Sequence, residues 1–416
     1  MEYITHLKDN EIIIGDYVYD LDKFAKLHPG GAQMLSIFGG KDATPHYYML
    51  HQHLELRDRY LASCKVHELR ELCELRHENN KDNYTINSGA YQDLKRRIRK
   101  VVPYTFATWE WYVKAFSIMA TNIALEVCNL AYGYNIYRSI ALGINMAMIG
   151  LCIQHDANHG AVSPNCWVNV LWGYTQDWIG GSSLLWKHHH VLLHHAYTNI
   201  VGEDPDASSD IIRLHRQILW KPMHKYQALY TWFLLPLLPL KWHFAEIYDL
   251  YTMHHMGVHI SPRARKEALF GIFLRICFLI RFYAIPLYIR PHYTTFAHIL
   301  LTLAVGGMYL GMNFIISHNF VGTNNIMQKN NKDWAFLQVD TSSTVGGRLL
   351  GFFHGGLNYQ IEHHLFPRIS HVHYHKMKPV VQQWALDYDV KYTYFNTIFD
   401  NLISCYRYMQ MMSNQE

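Results

Sequence analysis

Eight histidines in this chain stand in clusters whose spacing can hold metal. His155 and His159 lie four residues apart in HDANH, and His190, His194 and His195 close the run HHHVLLHH. His363 and His364 end QIEHH, where Gln360 precedes them, and His318 stands in SHNF. A four-residue spacing puts two imidazoles on one face of a helix. One such pair is more often a solvated helix face than a ligand set. Three clusters and a fourth histidine brought to one level make a metal site. Imidazole suits iron, copper and nickel as well as zinc, and zinc seldom takes more than four ligands. Eight nitrogen ligands without a clustered carboxylate match two octahedral-type metals with room left for oxygen, so two irons are expected. His188 and His189 extend the middle run but point elsewhere on a helix, and are left out of the ligand set. His254, His255 and His259 read as surface or interfacial, and His371, His373 and His375 as supporting or solvated. His354 has no assigned place.

A second centre is legible near the N-terminus. His28 opens HPGG, a tight Pro-Gly turn that can expose an imidazole at a pocket edge. His51 follows a helical stretch with Tyr47, Tyr48 and Leu50, and can face His28 across a heme. Two imidazole ligands leave no open position, so heme b held this way carries electrons rather than binding oxygen. His46 and His53 compete with His51 for the second place.

The elements that must position these groups belong in a membrane. Of 416 residues, 50% are apolar and only 17% are charged, below the quarter usual in soluble domains. That excludes a disordered chain, a collagen-like repeat and a coiled coil. A net charge of +4 is too mild to argue for nucleic acid. The seven cysteines are odd in number and contain no CxxC pair, which favours a reducing compartment over a disulfide framework. Four apolar segments, roughly 106–132, 136–154, 269–289 and 295–317, are each long enough to cross a hydrocarbon core of about 30 Å. Lys114 and Glu126 interrupt the first, and Arg275 and Arg281 the third. The connections around Tyr134 and Arg290 are short, while the other loops are long and basic. The positive-inside rule therefore puts both termini and the histidine clusters in the cytosol. Segments 171–185 and 226–244, broken by Gly180–Gly181 and by Pro236 and Pro239, suit re-entrant or interfacial helices. No secretory signal or transit peptide is visible. The expected architecture is an N-terminal α+β domain over 1–68, a linker over 69–102, and an all-α membrane domain over 103–416. The linker's basic cluster of Arg96, Arg97, Arg99 and Lys100 would meet the membrane surface. The membrane domain would have four transmembrane helices and a cytosolic histidine-rich helical cap.

The stretch VYDLDKFAKLHPGG, with DAT and a histidine after it, resembles cytochrome b5. HDANHG, QDWIGGSSLLW with HHHVLLHH, and GGLNYQIEHHLFP resemble the membrane fatty acid desaturases. A b5 domain ahead of a desaturase, with Gln opening the third box, is the pattern of front-end desaturases. The resemblance covers nearly the whole chain in the expected order. It implies a di-iron site, molecular oxygen and a fatty acyl chain that already carries a double bond. The new cis bond would form between that one and the carboxyl end. Carried over by position, the iron ligands are His155, His159, His190, His194, His195, His318, His363 and His364. Gln360 stands where other desaturases have histidine, as a weak ligand or a support. The run at 188–190 leaves the register of the second box open, and the family's H-x-x-x-H-H spacing selects His190. The b5 likeness implies heme b on His28 and His51, although Pro45 and Tyr47–Tyr48 replace the usual acidic residue and Phe. Further implied are an acyl-CoA or phospholipid substrate, an NADH-cytochrome b5 reductase as partner, and the endoplasmic reticulum membrane. QDWIGGSS looks most similar to Δ4 and Δ5 enzymes of protists, algae and lower plants, ahead of Δ6 or Δ8.

Two other readings use the same residues. A fatty acyl or sphingolipid hydroxylase has similar boxes. A histidine-rich metal transporter would carry its ligands inside the spans near the midplane, whereas these lie at span ends and in loops.

Overall fold

Ile12, Ile13 and Ile14 form a β-branched run that favours a strand. Gly15, at φ +62°, supplies the turn back into the next one. The resulting hairpin pairs β1 (Glu11–Ile14) antiparallel with β2 (Tyr17–Asp20). Asp20 then caps α1 (Leu21–Leu27) by accepting the amides of Asp22 and Lys23. After α2 (Ala32–Leu35), β3 (Lys41–Asp42) returns parallel to β1, and α3 (Thr44–Leu50) follows with Pro45 in its first turn. With β4 (Lys65–Glu68) the sheet order is β3-β1-β2-β4. The computed structural model describes residues 7–28, 31–51, 64–68, 85–323 and 333–414; His53 lies outside them.

Beyond this α+β unit come four helices long and apolar enough to cross a membrane: Trp109–Tyr132, Ile136–Asn158, Pro262–Ile289 and Tyr293–His318. The connection between the first two is held by Arg138, which donates to Asn129 Oδ1 and to the Gly133 carbonyl. Arg290, in the connection between the last two, caps the carbonyls of Leu130 and Ala131 at the end of the first span. The second and fourth spans touch through glycine: a Cβ on Gly143 would stand 2.5 Å from the Thr302 carbonyl oxygen. Of the charges that interrupt the spans, Lys114 Nζ lies 3.3 Å from His371 Nε2 and the others are in ion pairs. Arg281 meets Glu126 at 3.5 Å, and Arg275 meets Glu246 at 3.0 Å. Charges at such depth are retained where they find a partner.

The expected linker is partly a packed helix. Residues Gly89–Val101 are helical, with Tyr91, Leu94 and Ile98 buried against Trp334, Phe366 and Trp384. Those three lie at helical spacing within a charged stretch. The charge hid the stripe. Arg97, from the basic cluster, pairs with Asp93 at 2.7 Å and also with Asp387.

The α+β unit does not stand apart. Ile12, Leu21, Phe24, Ile37 and Phe38 share one core with Leu184, Leu185, Leu192 and Leu193 of the membrane domain. His46 Nε2 lies 2.8 Å from the Leu192 carbonyl oxygen, and Lys41 Nζ lies 3.2 Å from His188 Nε2. The N-terminal domain is thus seated directly on the helix that carries the second histidine cluster.

Candidate metal centre

Two helices loosen just where histidines must converge. Gly150–Gln154, ahead of His155, and Lys187–His194 are both π-helical. A π turn bonds i to i+5, so His190 and His195 fall on one side, their Nε2 atoms 3.2 Å apart. The widened turn at 150–154 is backed by the loop before QIEHH. At Gly355, φ is +59° and any Cβ would overlap the Leu151 carbonyl, so only glycine permits this approach.

Eight histidines come together. Candidate ligand atoms of His155, His159, His190 and His363 all lie within 4.8 Å of one another. So do those of His194, His318 and His364, and those of His195, His363 and His364. Gln360 lies on the second group, its side-chain amide 2.9 Å from His318 Nε2 and 3.1 Å from His364 Nε2. A half-turn of that amide puts oxygen in the same place.

Four of the rings are aimed by a partner at the far nitrogen, as metal-binding imidazoles usually are. His194 Nδ1 lies 3.1 Å from Asp204 Oδ2, and His318 Nδ1 lies 3.0 Å from the Thr341 carbonyl oxygen. His364 Nδ1 is 2.8 Å from Gln338 Oε1, and His363 Nδ1 is 3.1 Å from the Tyr374 hydroxyl. Behind the first cluster, His371 Nδ1 and the Ser370 hydroxyl both reach Asp156 Oδ2, at 2.8 and 2.7 Å. Burial, and then the neighbouring imidazoles, hold His159, His190, His195, His363 and His364 well below the ordinary histidine range. They are neutral imidazoles with lone pairs to give. Both ring nitrogens of His155 and of His159, with His363 Nε2, are buried and lack a hydrogen-bond partner. Such groups are costly unless something binds them, and two metal ions fit this donor set.

Residues other than the box histidines complete the site. Asp204, Asp156, Gln338 and Tyr374 are supports that spacing alone did not single out. The signal for Asp204 was GEDPD, an acidic pair close after the second cluster. His189 pairs with Asp206 at 2.9 Å, and His188 faces the N-terminal domain. His255 is buried against Asp249 rather than lying at the surface. His373 bonds the Phe106 carbonyl, and His354 packs edge-on against Tyr309.

A cavity of about 280 Å³ runs along the histidine cluster. It passes His190, His194, His318 and Gln360, then descends between the second and fourth spans past Leu310, Gly306, Leu303 and Ala147. Its other end is polar, with His189, Asp206, Lys241 and His255. A second, narrower slot of about 80 Å³ lies between the two domains and contains His28 and His51. Their ring centroids are 6.0 Å apart. Two imidazoles on opposite sides of one metal, with bonds of about 2 Å, need roughly this separation. Phe24, Leu35, Phe38 and Tyr47 supply an apolar lining suited to a porphyrin. Burial, and then the nearby Arg368 guanidinium, hold His28 down to about 4. His46 also lines the slot, but its Nε2 is engaged by the Leu192 carbonyl.

Residues 134–396 match the fatty acid desaturase family, and residues 5–70 match the cytochrome b5-like heme/steroid binding domain. An acyl-lipid (7-3)-desaturase of Rebecca salina is 39% identical, over 97% of this chain and 90% of that protein. One of the same name from Diacronema lutheri is 36% identical over the same shares. Acyl-lipid (8-3)-desaturase B of Dictyostelium discoideum is 28% identical over 99% of this chain and 93% of its own. With the family matched across most of the membrane domain and relatives aligned nearly end to end, this chain belongs to the fatty acid desaturases, with a cytochrome b5-like domain at its N-terminus.

Proposed function

We propose that the protein is a front-end acyl-lipid desaturase that inserts a cis double bond at carbon 4 of a polyunsaturated chain. One observation carries the position. The polar end of the cavity lies beside the metal cluster, since His189 and Asp206 neighbour His190 and His194, while the apolar part continues deep between the spans. A chain entering there with its carboxyl end at the polar mouth presents an early carbon to the histidines and stores its long tail beyond them. The (7-3) names of the relatives at 39% and 36% identity support carbon 4 over carbon 5. Their acyl-lipid names also support a glycerolipid-bound chain over acyl-CoA. So does the lining, because Lys241 is the single Lys or Arg among the described residues around the cavity, too few cations for the phosphates of CoA.

The eight histidines and Gln360 would hold two irons, which supply the oxidising power to break an unactivated C–H bond with dioxygen. Everything else is done by the chain's own groups. Asp204, Thr341, Gln338 and Tyr374 fix which nitrogen of His194, His318, His364 and His363 faces inward. The apolar walls exclude water and hold the acyl chain in register, so binding along the tail sets which carbon is presented. His28 and His51 would hold heme b, which would supply one-electron transfer. The reductant would be an NADH-cytochrome b5 reductase, and the setting the endoplasmic reticulum membrane with both termini cytosolic.

The test is expression in a host fed polyunsaturated C20 and C22 acids, with new double bonds located by mass spectrometry. A C22 acid with its first double bond at carbon 7 should gain one at carbon 4, and stearate should be left alone. Efficient desaturation of stearate, or a hydroxylated main product, would sink this reading.

A further inference from the structure

The slot around His28 and His51 takes its two walls from two domains. The N-terminal wall is apolar, with Phe24, Leu35 and Phe38. The facing wall comes from the HDANHG turn, the start of the second cluster's helix and the segment after QIEHH, and brings two cations, Lys187 and Arg368. Lys187 is already engaged, its Nζ 2.6 Å from Glu267 Oε1. Arg368 has no ion pair and no hydrogen bond among the described residues. A guanidinium in a partly buried slot, with nothing to bond, is matched to a ligand carboxylate, which it can take by two parallel hydrogen bonds.

Heme has just this division, an apolar disc with two carboxylates on one edge. Arg368 is also placed between the two redox centres. A Cβ on Gly160 would lie 3.9 Å from Arg368 Nε, so the side chain lies against the turn that carries His159. On its other side it shares the slot with His28. We infer that Arg368 of the desaturase domain binds a heme carboxylate, so that the catalytic domain forms one wall of the heme pocket and orients the heme edge toward His159. This rests on the heme reading given above.

The experiment uses the full chain, purified in detergent with its heme, as wild type, Arg368→Gln and Arg368→Lys. Two quantities are read without any fatty acid: the rate at which heme passes to an excess of apo-globin, and the heme midpoint potential under anaerobic conditions. Arg368→Gln should lose heme about tenfold faster, the effect expected for one charge-assisted hydrogen-bonded pair. Its potential should shift negative, because a neighbouring cation favours the more electron-rich reduced heme. Arg368→Lys should recover most of the potential. Reconstitution with heme dimethyl ester, which has no free carboxylate, should bring wild type to the rate of Arg368→Gln and leave that variant unchanged. Equal rates and potentials for wild type and Arg368→Gln would overturn the inference, as would an ester effect of the same size in both. Should Arg368→Gln fail to accumulate, the ester on wild type decides alone, and an unchanged rate overturns the inference. A full chain that binds no heme would instead overturn the reading beneath it.

Discussion

His194 and Asp204 form a buried pair in which the carboxylate, 3.1 Å from Nδ1, decides which ring nitrogen faces the histidine cluster. Burial drives this imidazole toward neutrality, but Asp204 and then Asp206 reverse the trend and raise its proton affinity above the ordinary histidine value. Asp204 also accepts the amides of Asn199 and Asp206, at 2.8 and 3.0 Å, and so shapes the loop around itself.

Asp204→Asn keeps the size of the side chain but removes the charge that aims His194. Iron content and desaturation should both fall by about 10- to 100-fold, the usual penalty for losing such a support. Asp206 is more exposed, and Asp206→Asn should cost clearly less. Elemental analysis of purified protein, alongside product yield, checks the order.

His28→Ala and His51→Ala should each abolish the low-spin bis-imidazole heme spectrum. His46→Ala should keep it, because His46 Nε2 is spent on the Leu192 carbonyl. A lost spectrum in His46→Ala with a kept one in His51→Ala would reassign the second heme ligand.

Ala147 lines the cavity on the second span, about 12 Å before His155 at about 1.5 Å per residue. Ala147→Leu should fill the space that an acyl tail needs past the metal cluster. Conversion of C22 chains should drop about tenfold, with C18 polyunsaturated chains affected less. Competition assays with mixed chain lengths read this directly, and an equal loss for both lengths would contradict the proposed path.

Gly355→Ala would press a methyl group into the Leu151 carbonyl and strain a backbone at φ +59°. A destabilisation of about 1–3 kcal/mol is expected, visible as a lower melting temperature and poor accumulation. Gly347→Ala is the control, since a Cβ there meets nothing within 4 Å. It should be nearly silent.

Lys41 is buried between the domains, and burial brings its ammonium down to about 7. In the unfolded chain it titrates near 10.4. Between these values the unfolded chain holds a proton that the folded one has released, so folding strengthens as pH rises through that window and weakens as pH falls toward 7. Thermal melting followed at the heme band should show this upward slope from pH 7 to 9. Lys41→Met should flatten it.

Histidine spacing and apolar length were enough to mark the histidines that converge and the four long helices. What spacing could not show follows from distance and geometry. Asp156 meets His371 and Ser370 from far along the chain, and Gln338 reaches His364 across two elements, so neither pair leaves a local signature. The helix at Gly89–Val101 was masked because its buried stripe of Tyr91, Leu94 and Ile98 is interleaved with lysines and arginines. The π-helical turn at Lys187–His194 changes which histidines share a face. An α-helical reading put His190 with His194, whereas the structure also brings His190 onto His195.

The shared core of Ile12, Leu21 and Phe38 with Leu184, Leu185, Leu192 and Leu193 has a consequence for dissection of the protein. A chain shortened to begin after the heme domain would leave those leucines, on the helices around the second cluster, facing water. Adding the missing half as a separate soluble polypeptide would then have to repair a fold as well as deliver electrons. Complementation in trans should therefore fail in shortened chains and succeed in full-length chains disabled only at His28 or His51.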